Sequence, residues 1–180
     1  MLYQTLHSML DLQLQELYAA ESHVARELKN FADGAVSSEF KSQLVRHSQE
    51  TEQHVQAMAE VLQKRNLSTH EAKCRVMDSL IKRGNEIVQS RGDDMLRDLG
   101  LVLTMRTIDT LEQSAYENAK IMAEVLGEND VVKVVERHLR EEGQQERSWT
   151  VLAEDMVDAL VVAAAKARRS TAEGMEGVRQ

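Results

Sequence analysis

Four short stretches of the chain place side chains that can bind metal or hold protons where a helix should be apolar. Glu21 stands in LYAAES, and His47, Glu50 and His54 in RHSQETEQH. Asp109 and Glu112 stand in IDTLEQSAY, and Glu142 with Glu146 in REEGQQERSW. Each stretch puts a carboxylate on the buried stripe of a long amphipathic helix, where an isolated charge is costly without a cation or a proton. Gathered at one level of a four-helix bundle, such groups make a polar layer of the kind that bridges two metal ions.

The elements that would position them follow from composition and period. The chain has 180 residues, no proline, 8 glycines, 42% hydrophobic and 29% charged residues, which suits one all-α domain with a sizeable core. Aromatics make up only 3%, so Leu, Met, Ala and Val must fill that core. A net charge of -8 and a pI near 5.3 argue against a nucleic-acid surface, which needs clustered Lys and Arg. Cys74 is the single cysteine and excludes an internal disulfide. No apolar run is long enough to span a bilayer or act as a signal sequence, and the expectation is a cytoplasmic protein.

The first long helix carries Leu6, Leu10, Leu17, Val24, Leu28 and Phe31, with Glu21 in the same stripe. It should end near Asp33, with Gly34 free to take a left-handed turn and Ser37 or Ser38 capping the next helix. That second helix runs to about Arg65, and His47, Glu50 and His54, spaced three and four apart, share a face. Residues 66–93 are too long for a tight turn. Ser68 and Glu71 have capping-box spacing, and Met77, Leu80, Ile81, Ile87 and Val88 form one apolar face of a crossover helix. A crossover of this kind lets the second and third long helices run parallel.

Arg91, Gly92 and Asp93 read as a turn with Asp93 as a cap. The third long helix, 94–126, is crowded with Leu96, Leu99, Leu101, Val102, Leu103, Met105, Ile108 and Leu111 over more than one face. It suits both a central position and a subunit interface, hence a homodimer through helical faces. Gly127 stops it, Asn129 or Asp130 caps the fourth helix, and Val131, Val135, Leu139, Trp149, Leu152 and Met156 line the latter. The domain should occupy residues 1–165, with 166–180 a frayed tail.

Depth tests the layer. Glu21 lies about 17 Å before Ala32 along its helix, and Glu50 about 18 Å after Ser38. Glu112 lies about 21 Å before Leu126, and Glu142 about 20 Å after Asn129. Both hairpins thus bring their carboxylates level.

The stretches LYAAES, HSQET, KCRVMDSLIKRGNEI, AYENAKIMAEVLG and LREE, in this order and spacing, resemble the YciE/YciF-like (DUF892) family of stress proteins over residues 5–160. The resemblance implies a ferritin-like antiparallel four-helix bundle with a helical crossover, usually a homodimer, and a dinuclear metal site. The family's acidic positions match Glu21, Glu50, Glu112 and Glu142. Where the family pattern reads Glu-His-x-Glu, this chain has Asp109, Thr110, Leu111 and Glu112, and Gly143 follows the acidic pair Glu141 and Glu142. Glu-x-x-His, the usual di-iron spacing, does not occur.

Oxygen-rich ligation favours iron or manganese over zinc. Glu50 and Glu142 would bridge two ions, Glu21 and Glu112 would be terminal ligands, and Asp109 and Glu146 divide evenly between outer ligand and surface charge. His47 and His54 read first as core or hydrogen-bonded histidines, with His54 the stronger ligand candidate, and His138 reads as packing. Tyr116 reads as a hydrogen-bond donor behind the ligands or as core. The function expected is a redox stress protein acting on reactive oxygen or handling iron. The competing expectation is a non-catalytic dimer whose polar layer is protonated or salt-bridged, and a storage-shell subunit is disfavoured because the chain has no extra helix for cage assembly.

Overall fold

The computed structural model describes residues 4–70 and 73–177, with side chains through Arg168. The chain forms five helices: α1 (Leu6–Gly34), α2 (Ser38–Lys64), α3 (Arg75–Gln89), α4 (Asp94–Val125) and α5 (Asn129–Gly177). Helices α1, α2, α4 and α5 form an antiparallel four-helix bundle. The crossover helix α3 lies on α1 and α4.

Local signals set most helix ends. Thr5 and Ser8 form a capping box at the start of α1, Ser37 accepts the Phe40 amide at the start of α2, and Asp93 accepts that of Leu96 at the start of α4. Gly127, at φ +71, ends α4. Four ends differ from the sequence reading. Gly34 remains helical and serves close packing instead: a Cβ there would lie 2.5 Å from Val88 Cγ1. Ser68 accepts the amide of His70 and so caps a turn, while α3 starts only at Arg75; Glu71, its expected capping partner, lies outside the described residues. Asn129 is already the first residue of α5, and α5 continues helically past residue 165 to Gly177.

Two polar anchors fix the topology. The Asp98 carboxylate near the start of α4 accepts the amides of Val36 (3.0 Å) and Ser37 (2.6 Å) in the α1–α2 connection. At the other end, Arg65 bonds Asp11 of α1 at 2.8 Å and pairs with Glu128 in the α4–α5 turn. The start of α4 therefore sits beside the start of α2, and these two helices run parallel across the bundle's diagonal.

The core falls into two apolar parts. One holds Val24, Phe31, Phe40, Met105, Ile108 and Trp149, with Met77 and Ile81 of α3. The other holds Leu10, Leu14, Met58, Leu62, Tyr116 and Val135. Glu21, Asp109, Glu112 and Glu142 interrupt their helices between the two.

Helix α3 seats through Gly84, where a Cβ would lie 2.6 Å from Phe31 Cζ, a rigid ring in the core. Helix propensity favours alanine over glycine by about 1 kcal/mol, whereas overpacking costs about 1–3 kcal/mol. Gly84→Ala is expected to lower the melting temperature by up to roughly 8 °C, read by circular dichroism. An increase would show that α3 shifts freely away from the ring.

Candidate metal centre

Each long helix supplies the polar layer. Glu21 comes from α1, His47 and His54 from α2, Asp109 and Glu112 from α4, and His138 and Glu142 from α5. All seven are at most 2% exposed. Three sets among them have ligand atoms mutually within 4.8 Å: His47, Asp109 and Glu142; Glu21, Glu112 and Glu142; and Glu21, His54 and His138. Glu142 and Glu21 each belong to two sets.

One side of the layer is bound up in hydrogen bonds. His54 Nδ1 faces Glu142 Oε1 at 3.0 Å and Glu21 Oε1 at 3.3 Å, and its Nε2 meets Glu141 Oε2 at 2.8 Å. The His138 ring stacks on that of His54 with centroids 4.1 Å apart. Arg137 donates to His138 Nε2 (3.1 Å), so Nδ1 carries the proton and donates to the Tyr116 hydroxyl (3.1 Å), which in turn donates to Glu21 Oε1 (2.5 Å). A chain of donors thus runs from Arg137 to the Glu21 carboxylate.

The other side is under-satisfied. Glu21 Oε2, both ring nitrogens of His47, Asp109 Oδ1, Glu112 Oε1 and Glu142 Oε2 are buried without a hydrogen-bond partner among the described residues. His47 Nε2 lies 3.6 Å from Asp109 Oδ1, too far for a hydrogen bond. The second oxygen of Asp109 accepts the Trp149 indole N–H at 2.8 Å, which fixes the carboxylate. Buried polar atoms are ordinarily paired, so six orphans in one layer are unusual and leave ligand atoms open to an external partner.

The electrostatics favour protons on the buried carboxyls of the layer. Burial, reinforced by the charge of Glu142, raises Asp109 well above the usual carboxylate range, although Trp149 opposes this. Burial and Glu21 raise Glu112 in the same way, and burial raises Glu142 to about 7 against the opposing pull of His54. Burial alone would lower His54, but its bonds to Glu142 and Glu21 push it up to about 11. Burial, then the charge of His54, lowers His47 to about 3 and His138 to about 2, so both are neutral imidazoles, and His47, whose ring nitrogens are both unpartnered, is the one able to ligate.

Of the residues singled out from sequence, the fold gathers Glu21, His54, Asp109, Glu112 and Glu142. It does not gather Glu50, the expected bridging carboxylate, which is exposed on α2. Depth along the axis was matched, but at about 100° per residue Glu50 lies roughly 80° round the helix from the buried line of Phe40 and Met58. His47 and His54 occupy the inward face instead. Glu146 is also outside the layer: it accepts from Arg106 at 2.7 Å and from the Thr150 hydroxyl at 3.0 Å. Arg106 accordingly holds Glu146 below the usual range.

Sequence reasoning undervalued His47 and His138 and did not use Glu141 or Trp149. His138 had a signal, standing four residues before Glu142 and thus on the same helix face. Gly143 is buried against α4, where an added Cβ would meet Gln113 Oε1 at 3.3 Å, so it admits a close neighbour.

A family model described as a domain of unknown function (DUF892) matches residues 5–162. Protein YciF of Escherichia coli K12 is 26% identical over 141 residues, 78% of this chain and 85% of that protein. The solved structure of the E. coli stress protein YciF superposes with a TM-score of 0.81 at 25% identity, covering 86% of this chain and 98% of that one. YcfI of Rhodopseudomonas palustris, described as a candidate structural protein, gives 0.77 at 24% identity over 82% of this chain and 94% of its own. A Xanthomonas campestris protein gives 0.69 at 20% over 89% and 98%, a likeness of fold. With its bundle, its crossover and this family match over most of its length, the chain belongs to the DUF892 family.

Proposed function

We propose that the polar layer binds two iron or manganese ions and that the protein is a redox or iron-handling member of a stress response. The observation that carries this reading is the set of six orphaned buried atoms on Glu21, His47, Asp109, Glu112 and Glu142. Carboxylate oxygens with neutral imidazole suit these metals, and the layer offers no thiolate. His47, Asp109 and Glu142 would hold one ion, and Glu21 and Glu112, with Glu142 shared, the other. Bound there, the metals would supply one-electron chemistry toward oxygen or peroxide.

The chain's own residues prepare the site. Trp149 aims Asp109, Tyr116 aims Glu21, and the apolar cores above and below exclude water. His54, held by three carboxylates, keeps a positive charge beside the layer. The deciding measurement is metal content by mass spectrometry on protein purified without chelator or affinity tag. About two ions per chain are expected.

Metal affinity should rise with pH. The apo fold keeps a proton on Glu142 below about 7, with Asp109 and Glu112 also raised, and each must release it to bind a cation. Calorimetry of Mn(II) binding in two buffers of different ionisation enthalpy should show proton release and weaker binding below pH 7. Binding that is flat with pH would contradict ligation by these carboxyls. Trp149→Phe, which retains the ring but loses the N–H to Asp109, should weaken binding about 10–100-fold in a chelator competition.

The second reading is a structural layer that is protonated or salt-bridged, and the three carboxylates around His54 favour it. Folded protein that stays empty after anaerobic iron addition would establish that reading. No helix among the described residues is long and apolar enough to cross a membrane. Leu96 and Leu103 of α4 and Val151 and Val157 of α5 are exposed, which supports a homodimer through these helices, testable by sedimentation.

A further inference from the structure

A partly enclosed cavity of about 240 Å³ lies between α1, α4 and the start of α3. Its walls include Leu17, Ala20, Met77, Leu111 and Ala115. Glu112 also lines it, so the cavity abuts one ligand of the proposed centre. Gln13, Glu16, Ser114 and Asn118 add polar groups, and Cys74 completes the wall from the α3 side. The arrangement is an apolar pocket with a few convergent polar groups, which is the usual form of a small-molecule site.

We propose that this cavity binds a small neutral molecule with a short alkyl body and a hydrogen-bonding head, and presents the head to Glu112. Charge selects neutrality. The described lining residues include Glu16 and Glu112 but neither Lys nor Arg, so an anion meets only like charge. A hydrated cation would have to shed water against Leu17, Met77 and Leu111. Size selects more than a diatomic gas: the space equals roughly eight water volumes, enough for an alkyl group of four or five carbons with its head. Short-chain alcohols and alkyl hydroperoxides share this shape. The inference that the head meets a metal-bearing carboxylate rests on the proposed centre; occupation of the cavity does not.

The test uses the metal-free full chain and tert-butanol as the non-oxidising probe, followed by methyl NMR. The methyl resonances of Leu17, Ala20, Met77, Leu111 and Ala115 should shift saturably, while those of Leu44 and Met58 on α2, which does not line the cavity, stay in place. Ala115→Phe should remove the response. Because that variant can fail to fold, a second plug is added after folding: Cys74, the chain's one cysteine, is capped with methyl methanethiosulfonate, which should also weaken the response at least tenfold. A linear drift, equal at Leu44 and at Ala115, or a saturable shift that survives both plugs, would overturn the proposal. Saturable binding in a protein that takes up no metal would leave the cavity assigned and sink only the metal reading. Metal uptake with unresponsive cavity methyls would do the reverse.

Discussion

Glu142→Ala is expected to yield a folded protein that has lost its metal, whereas Glu50→Ala should retain as much as the unaltered chain. Glu142 contributes to two of the three ligand sets, one with His47 and Asp109 and the other with Glu21 and Glu112. Its removal therefore takes a ligand from both ions. Metal content should fall from about two per chain to none. The fold should survive because the layer loses one of several mutually repelling carboxylates, and His54 keeps Glu21 at 3.3 Å and Glu141 at 2.8 Å as partners. Glu50 is exposed and belongs to none of the sets, so its loss should leave the stoichiometry unchanged, and its charge reaches the site only as a minor contribution that raises Glu142. Mass spectrometry of both variants, purified alike, decides the matter. Metal retained without Glu142, or lost without Glu50, would mean that the ligands are arranged otherwise.

That contrast shows what the sequence could and could not disclose. The stripes from Leu10 to Phe31 and from Val131 to Met156 were legible because helix burial repeats with a period the eye can count. Ser37, Asp93 and Gly127 were legible because caps and stops are local chemistry. Gly34 was not, since its role is set by Val88 of α3, a contact made only in the fold. The same limit explains α2. Counting residues measures depth well, but Glu50, His47 and His54 differ in rotation about the axis, which depends on how α2 rolls against α1 and α5. The family resemblance placed a carboxylate at Glu50, whereas this fold turns two imidazoles inward. Nor could spacing reveal that Trp149 holds Asp109, forty residues away in the chain. Tyr116 was foreseeable as a donor because it lies one turn beyond Glu112, yet its partner proved to be Glu21 of another helix.

A layer selected for metal rather than for stability should betray itself when a ligand becomes apolar. Glu112→Met changes volume little and replaces a buried carboxyl whose Oε1 has no hydrogen-bond partner. In metal-free protein the substitution should stabilise the fold by about 1–4 kcal/mol, raising the melting temperature by roughly 2–16 °C. Burial and Glu21 raise Glu112 well above its ordinary range, so the carboxyl favours the fold below that ordinary range and loses this contribution as pH climbs through the raised value. The advantage of methionine should accordingly widen with pH. Metal should reverse the order, because a free concentration about a thousand times the dissociation constant stabilises the native chain by about 4.1 kcal/mol, and the variant lacks a ligand of the set with Glu21 and Glu142. Melting both proteins with chelator and with Mn(II), at two pH values, measures all of this. A variant less stable under every condition would show that Glu112 supports the apo fold directly. A variant more stable under every condition would show that the layer holds no metal there, and that its charge serves something other than ligation.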